Sequence, residues 1–279
     1  MTRGLEKTIE ENLKKSSLWI NKIEQDCKNQ NVFFTIRDNR IDLYHKGGKL
    51  FGFAKNEFKT HLKYASVITR KGKDYLTESE LSEYKMVSDF ETNYKRIKEN
   101  CSKYSGIEAS GVSELYHKHS YLSDSNVVVL DIEVSFESPS ENKKQDRIDI
   151  LLYNKKSQLL QFVEAKHFSN TEIWSNTEPK VINQIEQYES QILDNKDEIL
   201  IEYVKYVRRI NDIFSISLPE PKGIDDNVTL LIFGFDNDQK KGRLKKLIIE
   251  NEHYVGIKIY PKGNIKKVET ETLWNATVL

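Results

Sequence analysis

The feature that most constrains this 279-residue chain is a pair of apolar runs broken by charge. Arg147-Ile148-Asp149-Ile150-Leu151-Leu152 and Phe162-Val163-Glu164-Ala165-Lys166 read as strands on either side of a turn at Asn154 to Ser157. A charge in a buried strand is costly unless it is paired or binds a metal. With Lys155-Lys156 centring the turn, Asp149 falls opposite Phe162. Side chains alternate with period 2, so residues 162, 164 and 166 share the face of Asp149. Asp149 and Glu164 become diagonal neighbours, about 7–8 Å apart, with Lys166 beside them. A hard divalent cation can bridge two carboxylates at that spacing, completing its shell with water. A slip of one residue in register would destroy the arrangement.

Around this hairpin the chain reads as α/β: a mixed central sheet flanked by helices, with an N-terminal α+β domain. Residues 1–105 form the first domain and 106–279 the second. In the first, Leu5, Ile9 and Leu13, then Ile20, Ile23 and Cys27, follow helical spacing. Val32 to Ile36, Ile41 to Tyr44 and Leu50 to Phe53 predict a three-strand meander with Asp38-Asn39 and Gly47-Gly48 as turns. Phe90, Tyr94, Ile97, Cys101 and Tyr104 predict one helical stripe. Ser105 to Gly111 reads as a linker. In the second domain, a short helix from Ser113 to about Leu122 precedes a strand from Val127 to Phe136. A polar loop follows from Ser138 to Gln145. Pro179 suits the first turn of a long helix with the stripe Val181, Ile185, Tyr188 and Ile192. Val228 to Phe235 and Tyr254 to Tyr260 read as further strands, with a helical Leu244 to Asn251 between them.

Lysine plus arginine balance aspartate plus glutamate at 43 each, which argues against a protein that coats nucleic acid by overall charge. A local basic groove stays open. No apolar run reaches the roughly 18 residues of a membrane span, and Met1 to Asn12 lacks a hydrophobic signal core. Cys27 and Cys101 then read as reduced, buried thiols, and the cytoplasm is the expected location. The sequence holds no CxxC, HExxH, GxxxxGK[ST] or GxGxxG spacing, so zinc and loop-bound nucleotide sites of those types are not expected.

Asp149 followed by Glu164-Ala165-Lys166 resembles the signature of the PD-(D/E)xK nuclease superfamily, over about residues 111–260. Gln184-Ile185-Glu186-Gln187-Tyr188 is similar to the Q-x-x-x-Y motif of its RecB-like and Cas4-like branches. The resemblance implies a restriction-endonuclease-like core and a Mg²⁺- or Mn²⁺-dependent nuclease acting on DNA. Asp149, Glu164 and the Ala165 carbonyl would hold the metal. Lys166 would position or activate the nucleophile, supported by Gln184 and Tyr188. The family also takes an acid from a helix before the first core strand, for which Glu114 is the candidate. Restriction, phage defence and repair are the settings it implies, and a homodimer or partner protein follows by analogy.

Each assignment has a plainer competitor. Any one of Asp149, Glu164 and Lys166 taken alone reads as a structural ion pair at a sheet end, but three on one predicted face favour a site. Tyr188 belongs to an apolar stripe, so core packing explains it as well as function does. Glu114 reads equally as an exposed helix charge, and Glu133 is a second candidate for the missing acid. Lys240-Lys241-Gly242-Arg243-Leu244-Lys245-Lys246 is either a phosphate contact or a solvated helix face. Phe33, Phe34, Tyr44, Phe51 and Phe53 read as core rather than base-stacking groups, and His45 and His61 show no functional spacing. A non-cleaving nucleic-acid-binding module on a nuclease fold is the alternative function. So is a nuclease controlled by an N-terminal sensing or partner-docking domain.

Overall fold

The computed structural model describes residues 2–65, 90–136, 147–175 and 179–279. The chain forms two compact units, Leu5–Ser113 and Glu114–Leu279, and Met1–Gly4 belongs with the second. The expected linker is largely helical, and the division falls later, after Ser113. Ser110 and Gly111 stand inside the helix Ile107–Lys118, where the Ser113 hydroxyl donates back to the Ser110 carbonyl at 2.6 Å. Such residues weaken a helix by about 1 kcal/mol or less each, which does not break one. The expected loop at Ser138 to Gln145 lies outside the described residues.

In the N-terminal unit, helix α1 (Lys7–Lys15) buries Ile9 and Leu13. A π-type turn, Trp19–Ile23, then leads into α2 (Glu24–Lys28). The wider turn shifts the helical phase. Trp19 therefore faces the core and Ile20 is 53% exposed, contrary to the expected stripe. Strands β1 (Phe33–Arg37), β2 (Arg40–His45), β3 (Gly48–Ala54) and β4 (Glu57–Lys59) form an antiparallel sheet in that order. The fourth strand extends the expected meander. Lys46 and Gly47 both take positive φ, the geometry of a tight hairpin turn. A Cβ on Gly47 would also lie 2.5 Å from the Ala109 carbonyl carbon, so only glycine fits there. The helix Leu62–Ala65 is α3. Helix α4 (Tyr94–Lys103) lays Tyr94, Ile97 and Cys101 on the core, and the rings of Tyr94 and Phe51 stack. Phe33, Phe34, Tyr44, Phe51 and Phe53 are all buried, as expected of core.

Helix α5 (Ile107–Lys118) crosses the boundary between the units. The C-terminal unit is built on a mixed sheet whose order is β11 (Thr277–Val278), β10 (Lys258–Lys262), β9 (Thr229–Phe233), β7 (Leu159–His167), β6 (Arg147–Asn154), β5 (Val127–Ser135), with β8 (Gly223–Ile224) beside β7. Strands β5, β6 and β7 pair antiparallel. Strands β7, β9 and β10 pair parallel. The short β11 adds antiparallel to β10. The central strands are almost continuously buried, as a sheet covered on both faces requires. Two helices, α6 (Lys180–Asp194) and α7 (Lys196–Phe214), fill the connection from β7 to β8. Helix α7 was not expected, although Ile199, Tyr203, Tyr206, Val207 and Ile210 give it a clear inward face. Strand β10 starts later than expected, because Glu252–Tyr254 forms a 3-10 turn whose Tyr254 hydroxyl donates to Ile173 O at 2.8 Å. No helix among the described residues is long and apolar enough to cross a membrane.

Candidate active site

The site lies where β7 runs past its paired length with β6. The β6–β7 ladder pairs Asn154 with Leu159 and ends at Ile150 with Val163. One step further sets Asp149 opposite Glu164, not opposite Phe162. The turn is centred one residue later than expected, because the Asn154 side chain accepts the amides of Lys156 and Ser157 and Gln158 takes positive φ. Moving the centre by one residue moves the register by two, so the shared face survives.

Asp149 is half-buried and its Oδ2 accepts the Ala165 amide at 2.8 Å. Desolvation, then the charge of Glu164, pushes its pKa well above the ordinary carboxylate value, against the pull of the Ala165 amide and Lys166. Glu164 is 2% exposed and Lys166 5%. The Lys166 Nζ lies 2.9 Å from Glu164 Oε1 and 2.8 Å from Glu172 Oε2. Burial alone would lower the Lys166 pKa, but Glu164 and Glu172 outweigh it and raise the pKa, keeping the ammonium charged.

Sequence reasoning missed Glu172. It stands on the 3-10 turn Thr171–Ile173, where the Asn170 side chain accepts the Glu172 amide at 2.9 Å. Asn170, two residues before Glu172, is the signal that could have found it: an Asx turn reverses the chain after β7. Trp174 then donates from its ring N–H to the Phe168 carbonyl at 2.9 Å, closing the loop on the strand end. The Arg243 guanidinium lies 4.1 Å from the Trp174 ring centroid, a cation–π contact. It joins the basic segment to the loop that carries Glu172. In the helix Lys240–Ile249 only Leu244 and Ile248 are buried, so its lysines face solvent.

The remaining candidates divide. Gln184 donates to the Tyr188 hydroxyl at 2.7 Å, and that hydroxyl donates to the Arg147 carbonyl at 2.8 Å. Tyr188 is fully buried, so the pair fixes the start of β6, two residues before Asp149, from inside the core. Glu114 is drawn instead to Lys266, with 3.6 Å between Oε1 and Nζ. That pair is exposed, and it is not joined to the Asp149 cluster. Glu133 is better placed. The pairs Ile132–Ile150 and Val134–Ile148 set it level with Asp149 on the neighbouring strand, and its charge contributes to the raised Asp149 pKa. Its φ of 51° is a left-handed backbone inside β5, which breaks the simple alternation of side chains along the strand. Asp131 is in fact fully buried. His167 packs edge-on to Phe233, away from the cluster, as alternation implies.

The donors that could hold a metal are hard oxygens from Asp149, Glu164 and the Ala165 carbonyl, the kind Mg²⁺ and Mn²⁺ take. Two carboxylates that repel each other suit a cation. Among the described residues, no group of three or more His, Cys, Asp or Glu side chains could hold one unaided, so backbone and water would complete the shell. No protein-family model, curated protein or solved structure matches the chain.

Proposed function

We propose that the chain is a Mg²⁺- or Mn²⁺-dependent nuclease that hydrolyses DNA phosphodiester bonds. The observation that carries this reading is the meeting of Asp149, Glu164 and Lys166 at one strand end, two carboxylates opposite each other and a buried lysine between acids. Asp149, Glu164 and the Ala165 carbonyl would hold the metal, which supplies Lewis-acid polarisation of the phosphodiester. Lys166, kept charged by Glu164 and Glu172, orients the attacking water and offsets charge developing on phosphate. Tyr188 and Gln184 hold the β6 backbone that presents Asp149. The exposed lysines around Arg243 attract the DNA backbone. The mixed sheet is compatible with a restriction-endonuclease-like core, and restriction, phage defence or repair would be the setting.

The test is cleavage of supercoiled, linear and single-stranded DNA with Mg²⁺, Mn²⁺ or EDTA. Lys166→Ala should reduce cleavage at least 100-fold, the order of a lost charge-stabilising group, while the protein stays folded. Unchanged cleavage by the variant would sink the assignment. A second reading is favoured by the pairing of Lys166 with both Glu164 and Glu172, which also suits a structural ion network. Metal-independent DNA binding without cleavage would establish that non-cleaving module instead.

A further inference from the structure

We propose that a pocket in the N-terminal unit binds a phosphorylated small molecule of nucleotide size. The cavity measures about 400 Å³ and is lined by Arg40, Lys49, Lys59, Thr60, His61 and Tyr64, with Gly52 and Ala54. That volume falls in the range of small-molecule sites, about 300–1,000 Å³, and is far more than a free phosphate needs. The proposal does not depend on the nuclease reading.

Gly52 on β3 lines the cavity and puts no side chain into it. Gly52 pairs with Asp42 across the β2–β3 ladder. A Cβ on Gly52 would lie 3.4 Å from both Asp42 Oδ1 and Lys49 Cε, so any larger side chain enters the space beside them. Asp42 is 2% exposed and anchors two cations: Lys49 Nζ lies 2.7 Å and Arg40 Nε 3.1 Å from its Oδ1. One carboxylate against two cations leaves one positive charge, held in place by the anchor. Lys59 brings a second. Among the described residues, this excess of two positive charges, carried on side chains exposed at the edge of the cavity, matches a phosphate monoester or diphosphate better than a carboxylate.

The other walls suit the non-phosphate part of such a ligand. The His61 and Tyr64 rings lie 5.5 Å apart at 48°, making an aromatic corner beside Ala54. Asn100 donates to the Tyr64 carbonyl at 3.1 Å and the Tyr104 ring lies 6.2 Å from the Tyr64 ring, which holds Tyr64 in place. Thr60 donates its hydroxyl to Leu50 O at 2.7 Å, which ties the lining after β4 to β3. A mostly apolar cavity with an aromatic corner and cations at its exposed edge accepts a flat base inside and phosphate at the edge.

Calorimetric titration of the full chain in EDTA tests this, with AMP, ATP, GTP, inorganic phosphate and a short single-stranded DNA as probes. Lys59→Glu and Gly52→Leu are the variants, each checked for folding by its thermal midpoint. At least one nucleotide should bind more tightly than inorganic phosphate, weaken with salt, and lose at least tenfold in affinity in both variants. Lys59 is exposed, so Lys59→Glu decides the matter if Gly52→Leu does not fold. The proposal is overturned if no nucleotide binds at millimolar concentration, or if folded variants bind as well as wild type. It is also overturned if only the oligonucleotide binds, because the cleft would then be a nucleic-acid contact. These outcomes leave the DNA-cleavage test untouched, since Lys166 takes no part in the pocket.

Discussion

Asp149 is an acid whose ionisation the fold opposes. Desolvation and Glu164 raise its folded pKa above the ordinary 3.8. The stability tied to it is therefore fully present below the unfolded value and lost as pH rises through the raised folded value. Asp149→Asn removes that loss and keeps an oxygen to accept the Ala165 amide. In EDTA, its thermal midpoint should exceed that of wild type at about pH 8, and the gap should close below about pH 4. A pH-independent gap would mean that the carboxyl is not opposed by its surroundings. The same repulsion makes the site responsive to a cation, so added Mg²⁺ should raise the wild-type midpoint more than that of the variant.

At the scale of the element, α6 is tied to β6 by one hydroxyl. Tyr188 donates to Arg147 O and accepts from Gln184. Tyr188→Phe keeps the ring in the core and leaves both partners unsatisfied, which should cost about 1–3 kcal/mol in urea unfolding. Cleavage should fall through kcat rather than KM, because what moves is the strand presenting Asp149. A stability loss below about 0.5 kcal/mol would show that the tether does not hold β6. The strands themselves were legible in the sequence because alternation and β-branched residues report directly on a half-buried pleat. The hairpin register was not, because Asn154 and Gln158 moved the turn centre through side-chain capping and a left-handed backbone. Only the start of helix α5, up to Gly111, reads as a linker, because Gly and Ser lower helix propensity without forbidding it.

At the scale of the whole molecule, one contact closes a long loop. Arg3 lies 2.9 Å from the fully buried Asp131, which also accepts the Tyr203 hydroxyl at 2.9 Å. The residues joined are 128 positions apart. Removing one member of a buried ion pair leaves the other uncompensated, at about 3–5 kcal/mol. Arg3→Ala should therefore destabilise the C-terminal unit by that order in chemical denaturation, and adding Asp131→Asn should recover part of the loss. A cost below about 1 kcal/mol would mean that Asp131 is satisfied without the arginine.

By itself the sequence determined the α/β character of the chain, most strand positions, and the shared face of Asp149, Glu164 and Lys166. These follow from local periodicity, which a two-residue error in register leaves intact. Only the tertiary structure decided that Glu172 completes the lysine's partners, that Glu133 and not Glu114 stands beside Asp149, and that Arg3 reaches Asp131. It also set a cavity around Gly52 with Arg40, Lys49 and Lys59 at its edge. Each of these joins segments that no local pattern connects. Their partners are chosen by the cost of leaving charge buried and unpaired, and that cost is settled only once the sheet is assembled.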